Sequence, residues 1–144
     1  MSEELIDMTD EQASQIDRLS ELGNDAMDDE KYDKAIAYFT EALGFVPQPK
    51  EDWEATGWLY ASIGDAYFMQ EEYSKSLDYI AKAYTVYGDD VNPFILLRYG
   101  QCACELGDEK KAVELLLRAY MLEGEEIFEG EEKYLEFLSA RVKL

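Results

Sequence analysis

Residues 32–43 read YDKAIAYFTEAL, residues 73–84 read YSKSLDYIAKAY, and residues 109–120 read EKKAVELLLRAY. The three stretches carry small or apolar residues at the same steps. Ala35, Ser76 and Ala112 stand fourth, Phe39, Ile80 and Leu116 eighth, and Ala42, Ala83 and Ala119 eleventh. Steps of three and four are the period of one face of an α-helix. Writing that face three times predicts three equivalent amphipathic helices in a repeat architecture.

Each stretch is preceded by a second helical pattern. Thr9-Asp10-Glu11-Gln12 fits a capping box, and Ala13, Ile16, Leu19, Leu22 and Ala26 then recur on one face. Asp28-Asp29-Glu30 interrupts the period for so few residues that the flanking helices must pack antiparallel. Pro47 and Pro49 close the first pair, and Pro49 fits the first turn of a helix running to about Gln70, ~30 Å long. Its partner is expected from Tyr73 to about Val86. Asn92-Pro93 is a strong start for the next helix, and Gly107-Asp108 gives a tight turn with Asp as the following N-cap. The ending EEKYLEFLSARVKL carries a stripe of Tyr134, Leu135, Leu138 and Val142, with Arg141 and Lys143 where a helix C-terminus favours cations. Exposed Tyr134 and Phe137 there would serve as a dimer contact or as a simple cap.

The fold class expected is all-α: a short right-handed α-solenoid of three helix–turn–helix units with a C-terminal capping helix. Residues 1–144 read as a single domain. Its parts are an N-terminal tail at 1–8, units at 9–49, 50–90 and 91–126, and a cap at 127–144. The second unit's first helix is extended by an insertion at 50–56.

Composition narrows the function. The chain has 144 residues, 47% of them hydrophobic, which is enough for a packed core. It carries 33 acidic and 13 basic residues, a formal net charge of −20. Such a field repels phosphate backbones and anionic membrane surfaces and favours a protein with a basic surface; general solubility is the alternative explanation. The charge is lopsided. Residues 1–30 hold eleven acids and one Arg, whereas residues 91–120 hold four of each sign. There is no His, and neither a Gly-rich phosphate loop, a nucleophile motif nor a DxDxDG calcium loop is present. The expectation is a non-enzyme with no cofactor and no metal. Cys102 and Cys104 would point about 200° apart on a helix and read as reduced. The acidic start has no signal-peptide pattern, and no apolar run approaches the ~20 residues of a membrane span. A cytoplasmic location is expected, with the oligomeric state open.

The three units resemble tetratricopeptide (TPR) repeats. The resemblance rests on Leu22-Gly23, Ile63-Gly64 and Tyr99-Gly100 for close helix contact, on the fourth-, eighth- and eleventh-place residues above, and on Pro47. Departures are Ser76 for an Ala, Gly88 and Gly124 for the closing Pro, and Glu109 for an aromatic. The resemblance implies a groove lined by the first helices that binds a protein or peptide. Candidate partner-binding residues are Asn24 in the first unit, Trp53, Trp58, Asp65 and Phe68 in the second, and Phe94, Arg98 and Gln101 in the third. Asp17, Ser20, Met27, Ala61, Met69 and Leu97 share the same helix faces. TPR chaperone adaptors hold a C-terminal carboxylate with two Lys, two Asn and one Arg. Here Asn24 and Arg98 match, but Ser20 and Phe94 replace both Lys, and Ser62 replaces the second Asn. An acidic chaperone tail is therefore a poor fit. The stretches EDWEATGWLYASIGDAYF (51–68), NPFILLRYGQCACELG (92–107) and GEEIFEGEEKYLEFL (124–138) are further similar to small bacterial TPR proteins of polymorphic and contact-dependent toxin systems. That similarity implies an immunity protein blocking a toxin domain; the alternative is a general TPR adaptor.

Overall fold

The computed structural model describes residues 7–144, so most of the expected tail, residues 1–6, lies outside it. Among the described residues seven α-helices follow one another: α1 (Asp10–Asp28), α2 (Tyr32–Gly44), α3 (Glu54–Met69), α4 (Tyr73–Tyr87), α5 (Pro93–Glu105), α6 (Glu109–Glu123) and α7 (Glu132–Ser139). Among the described residues there is no strand. The helices form three antiparallel hairpins, α1–α2, α3–α4 and α5–α6, which stack in chain order through α2–α3 and α4–α5 contacts. This is the all-α solenoid that the repeated pattern predicts, with α7 as its cap.

Local chemistry sets the helix starts. The capping box forms: Gln12 N–H donates to Thr9 Oγ1 (3.1 Å) and Thr9 N–H to Gln12 Oε1 (2.9 Å). Asn92 Oδ1 accepts from Ile95 N–H (3.0 Å) with Pro93 next to it, and Asp108 Oδ1 accepts from Lys111 N–H (3.2 Å). Each satisfies an orphan donor of a first turn. At the other end of the chain, Arg141 Nη1 donates to Phe137 O (3.0 Å), placing a cation on the last carbonyls of α7.

One expectation is corrected. The segment from Pro49 to Gln70 is not a single extended helix. Lys50–Asp52 form a 3-10 turn, Trp53 is extended at φ −103° and ψ 131°, and α3 begins only at Glu54. Lys50 Nζ donates to Leu43 O (2.7 Å) and Val46 O (2.6 Å), satisfying carbonyls at the end of α2. Trp53 packs into the first unit's core. The Lys50 bonds, four and seven residues back along the chain, and the Trp53 packing together hold the chain off the helical path.

Within each hairpin the two helices meet at a small residue. A Cβ on Gly64 would lie 2.6 Å from Ile80 Cδ1, and one on Gly100 2.8 Å from Leu116 Cδ2; Gly23 bears in the same way on the Phe39 ring. Ile80, Leu116 and Phe39 are the eighth-place residues of the three echoes, all fully buried. Ser76, the departure from Ala, is also fully buried. Its Oγ donates to Gly64 O (2.7 Å) and accepts from the Cys102 thiol (3.2 Å), joining the second and third hairpins. Both cysteines are free. The end segment, a 3-10 turn over Gly124–Phe128 followed by α7, covers α5 and α6: Phe128, Tyr134 and Leu138 pack with Leu97, Leu115 and Leu116. Tyr134 is thereby buried in the cap.

Candidate protein-binding groove

The first helices of units one and two face each other across an open groove. A cavity of about 490 Å³ lies between Asp17, Ser20, Glu21 and Asn24 of α1 and Glu54, Ala55 and Trp58 of α3, with Tyr87 closing it from the end of α4. Asn24 also borders a smaller cavity of about 210 Å³ farther along, with Met27, Asp28, Phe39, Ser62 and Asp65. The spacing is that of helix faces: residues three and four apart in α1 and α3 line one wall each. Trp58 stands edge-on to the buried Phe39 ring (centroids 6.1 Å apart) yet keeps 39% of its surface exposed. The two cavities are lined by five carboxylates and by no Lys or Arg. Among the described residues Asp17, Glu21, Asp28 and Glu54 form no ion pair. Burial, then the Glu54 charge, pushes the Tyr87 phenol up.

The third unit's equivalent face is closed. Arg98 is only 6% exposed, and Gln101 not at all. Arg98 Nη2 lies 2.7 Å from Asp65 Oδ1, an ion pair without good hydrogen-bond alignment. Its Nη1 donates to Gln101 Oε1 (2.7 Å) and to Glu131 Oε1 (3.1 Å). The guanidinium sits 4.1 Å from the Phe68 ring centroid and 5.1 Å from that of Phe94. Burial raises the Asp65 carboxyl above its ordinary 3.8, with Arg98's charge opposing the rise. Beside this seam Tyr134 O–H donates to Glu105 Oε2 (2.9 Å), and burial followed by that bond drives the phenol upward.

The eight candidate residues thus fall into three places. Asn24 and Trp58 line the open groove. Asp65, Phe68, Phe94, Arg98 and Gln101 come together at the seam of units two and three, where Asp65 borders the groove and Phe94 stays 43% exposed. Trp53 packs in the first unit's core and lines neither groove cavity. The chaperone-adaptor pattern loses its one cation here, because Asp65 and Glu131 already hold Arg98. Sequence reasoning missed Glu131 and the groove residues Glu21, Glu54 and Tyr87. No signal near Glu131 announces the contact: it lies 33 residues after Arg98, beyond the three echoed stretches, and meets Arg98 only where the end segment docks.

Among the described residues no group of three or more His, Cys, Asp or Glu is placed to hold a metal. No described helix is long and apolar enough to cross a membrane. What the groove offers chemically is negative charge over an aromatic and aliphatic floor, which attracts cationic and apolar side chains.

Stacked helical hairpins with a groove along their first helices define a repeat-type α-solenoid. A profile of the tetratricopeptide repeat matches residues 15–89, over half of the chain, and the chain belongs to that family. Solved structures agree in fold. The chain is similar to the Arabidopsis OM64 TPR domain (TM-score 0.72, 20% identity, covering 92% of this chain and 99% of that one). It is similar to the Sgt2 TPR domain from Aspergillus fumigatus (TM-score 0.66, 25% identity, 92% and 77%). The N-terminal domain of stress-induced protein-1 (STI-1) from C. elegans also matches (TM-score 0.65, 16% identity, 90% and 98%). No curated protein sequence matches the chain. TPR domains are in general protein-interaction modules, without catalytic machinery of their own.

Proposed function

We propose that the chain binds one protein partner through the α1–α3 groove, and that the partner segment is basic with apolar side chains. The observation that carries this reading is the groove lining: five carboxylates, no Lys or Arg, and the exposed face of Trp58. The net charge of −20 extends the same field beyond contact distance and speeds association with a positive surface. More finely, the partner is a toxin domain, and the chain acts as its immunity protein by covering the toxin's basic substrate-binding surface. The sequence similarity to toxin-system TPR proteins supports this finer reading. TPR membership alone favours a second one, a general adaptor that gathers several partners weakly.

Capture on the tagged protein from its native cells, at low and at high salt, tests these readings. Mass spectrometry of a single dominant partner with a basic domain, released by salt, supports the first. Protection of cells expressing that domain supports the immunity role, and no protection removes it. Several weak partners without a basic patch would leave only the adaptor.

A further inference from the structure

The chain builds one seat for a guanidinium and fills it itself. Arg98 lies between two aromatic rings, Phe68 and Phe94, with two carboxylates, Asp65 and Glu131, and one amide oxygen, that of Gln101. The wider groove cavity has the same composition. It offers two aromatics, Trp58 and Tyr87, the carboxylates Asp17, Glu21 and Glu54, and the amide of Asn24, with no cation of the chain among its lining residues. The parallel extends to register: Asn24 follows Gly23 as Gln101 follows Gly100, the close-contact glycines of their units. A separate observation also points to a ligand. Ser20 lines this cavity and is 8% exposed, and its Oγ has no hydrogen-bond partner. A buried hydroxyl left unpaired is unfavourable and uncommon in folded proteins.

We propose that this cavity is a subsite for one arginine side chain of the bound partner, its guanidinium stacked on Trp58 and paired with the carboxylates of α1 and Glu54. Arginine fits better than lysine for stated reasons. A planar guanidinium lies flat on an indole and presents five donors in a fixed fork, which suits acceptors spread over two helices. The subsite rests on the groove reading above and adds the identity of the side chain that anchors the partner.

The test uses acetyl-leucyl-arginine amide as the probe against the ¹⁵N-labelled full chain, with the citrulline and lysine analogues as comparisons. The two tryptophans give an internal reference, since Trp53 packs in the core and Trp58 lines the cavity. The expected result is a saturable shift of the Trp58 indole N–H and of the Ser20 and Asn24 amides with the arginine probe. Citrulline, the neutral isostere, leaves them unmoved, lysine binds more weakly, and Trp53 does not respond. Glu21→Gln and Glu54→Gln each weaken the arginine probe by about two- to fivefold, the range for an exposed ion pair. Both residues are exposed, and an unchanged spectrum elsewhere shows that the variants fold. Equal binding of citrulline or lysine, or no saturable shift with arginine, overturns the proposal. A captured basic partner that ignores both substitutions sinks the subsite and leaves the groove reading standing. Arginine-probe binding without any basic partner in the cell does the opposite.

Discussion

At the scale of single residues, Arg98 has the most to lose. It is buried between units and is the shared partner of Asp65 and Glu131. Replacing it by Met keeps the bulk and removes the charge, leaving Asp65 desolvated without its cation. Breaking a buried pair in this way costs about 3 kcal/mol at neutral pH, read as a lower urea midpoint. The pH dependence has a definite sign. Asp65's folded carboxyl already titrates above its ordinary 3.8 because of burial, and losing Arg98 removes what opposed the rise. A carboxyl with a raised folded pKa favours the fold below its unfolded pKa and loses that contribution as pH rises through the folded value. The deficit of Arg98→Met should therefore be smallest near pH 4 and grow toward neutrality, and an equal deficit at both would contradict this account. Two glycines provide a sharper contrast of sign. A Cβ on Gly23 meets the rigid Phe39 ring, so Gly23→Ala should destabilise by about 1–2 kcal/mol despite its better helix propensity. Gly44, the last residue of α2, has nothing within 4 Å of a Cβ, and Gly44→Ala should stabilise by about 0.5–1 kcal/mol. Paired urea titrations check both.

At the scale of elements, the three hairpin turns are one design written with different residues. In each, the middle residue is left-handed: Glu30 at φ 59°, Glu71 at φ 61° and Gly107 at φ 83°. In each, the next N–H closes back on the preceding helix, Lys31 to Ala26 O, Glu72 to Tyr67 O and Asp108 to Ala103 O. Only the third turn has the residue that adopts this backbone freely. Glu30→Gly and Glu71→Gly should each stabilise by about 1 kcal/mol, the strain released less the extra unfolded entropy of Gly. A melting temperature that falls for both would refute the strain argument. These turns also show why so much of the fold could be read from sequence. Spacing, caps and short breaks are local, so Thr9, Asn92 and Asp108 announced their helices and the echoes announced the stack. What stayed hidden was non-local. Pro49 is acceptable at a helix start and Trp53 keeps the helical phase, so nothing nearby reveals that Trp53 packs into the first unit's core instead. Arg98 and Gln101 sit on the groove face of α5 by spacing, and only the docked end segment with Glu131 turns that face into a seam. The candidate site was therefore legible at Asn24 and Trp58, where no later segment folds over the first helices.

At the scale of the whole molecule, the excess of negative charge works on folding and on binding in opposite directions. Thirty-three acids against thirteen bases leave the compact chain repelling itself, and the described residues contain four ion pairs. Raising salt shortens the screening length from about 30 Å at 0.01 M to about 8 Å at 0.15 M, comparable with the spacing of neighbouring surface carboxylates. The free chain should therefore become more stable: a gain of about 1 kcal/mol corresponds to roughly 3 °C in melting temperature for a chain of this length. Binding to a basic partner should move the other way, because the same screening removes the attraction that steers and holds it. The pair of responses separates two roles of the charge that a single measurement confuses. If the acids serve only solubility, salt stabilises the fold and leaves partner affinity unchanged. If they serve recognition, affinity falls over the salt range in which the melting temperature climbs, and Glu21→Gln with Glu54→Gln flattens the binding curve while leaving most of the melting curve's slope in place. Those two substitutions remove a small part of the self-repulsion but half of the unpaired carboxylates that line the groove. A loss of affinity that tracked total charge, whichever acids were neutralised, would move the contact away from this groove.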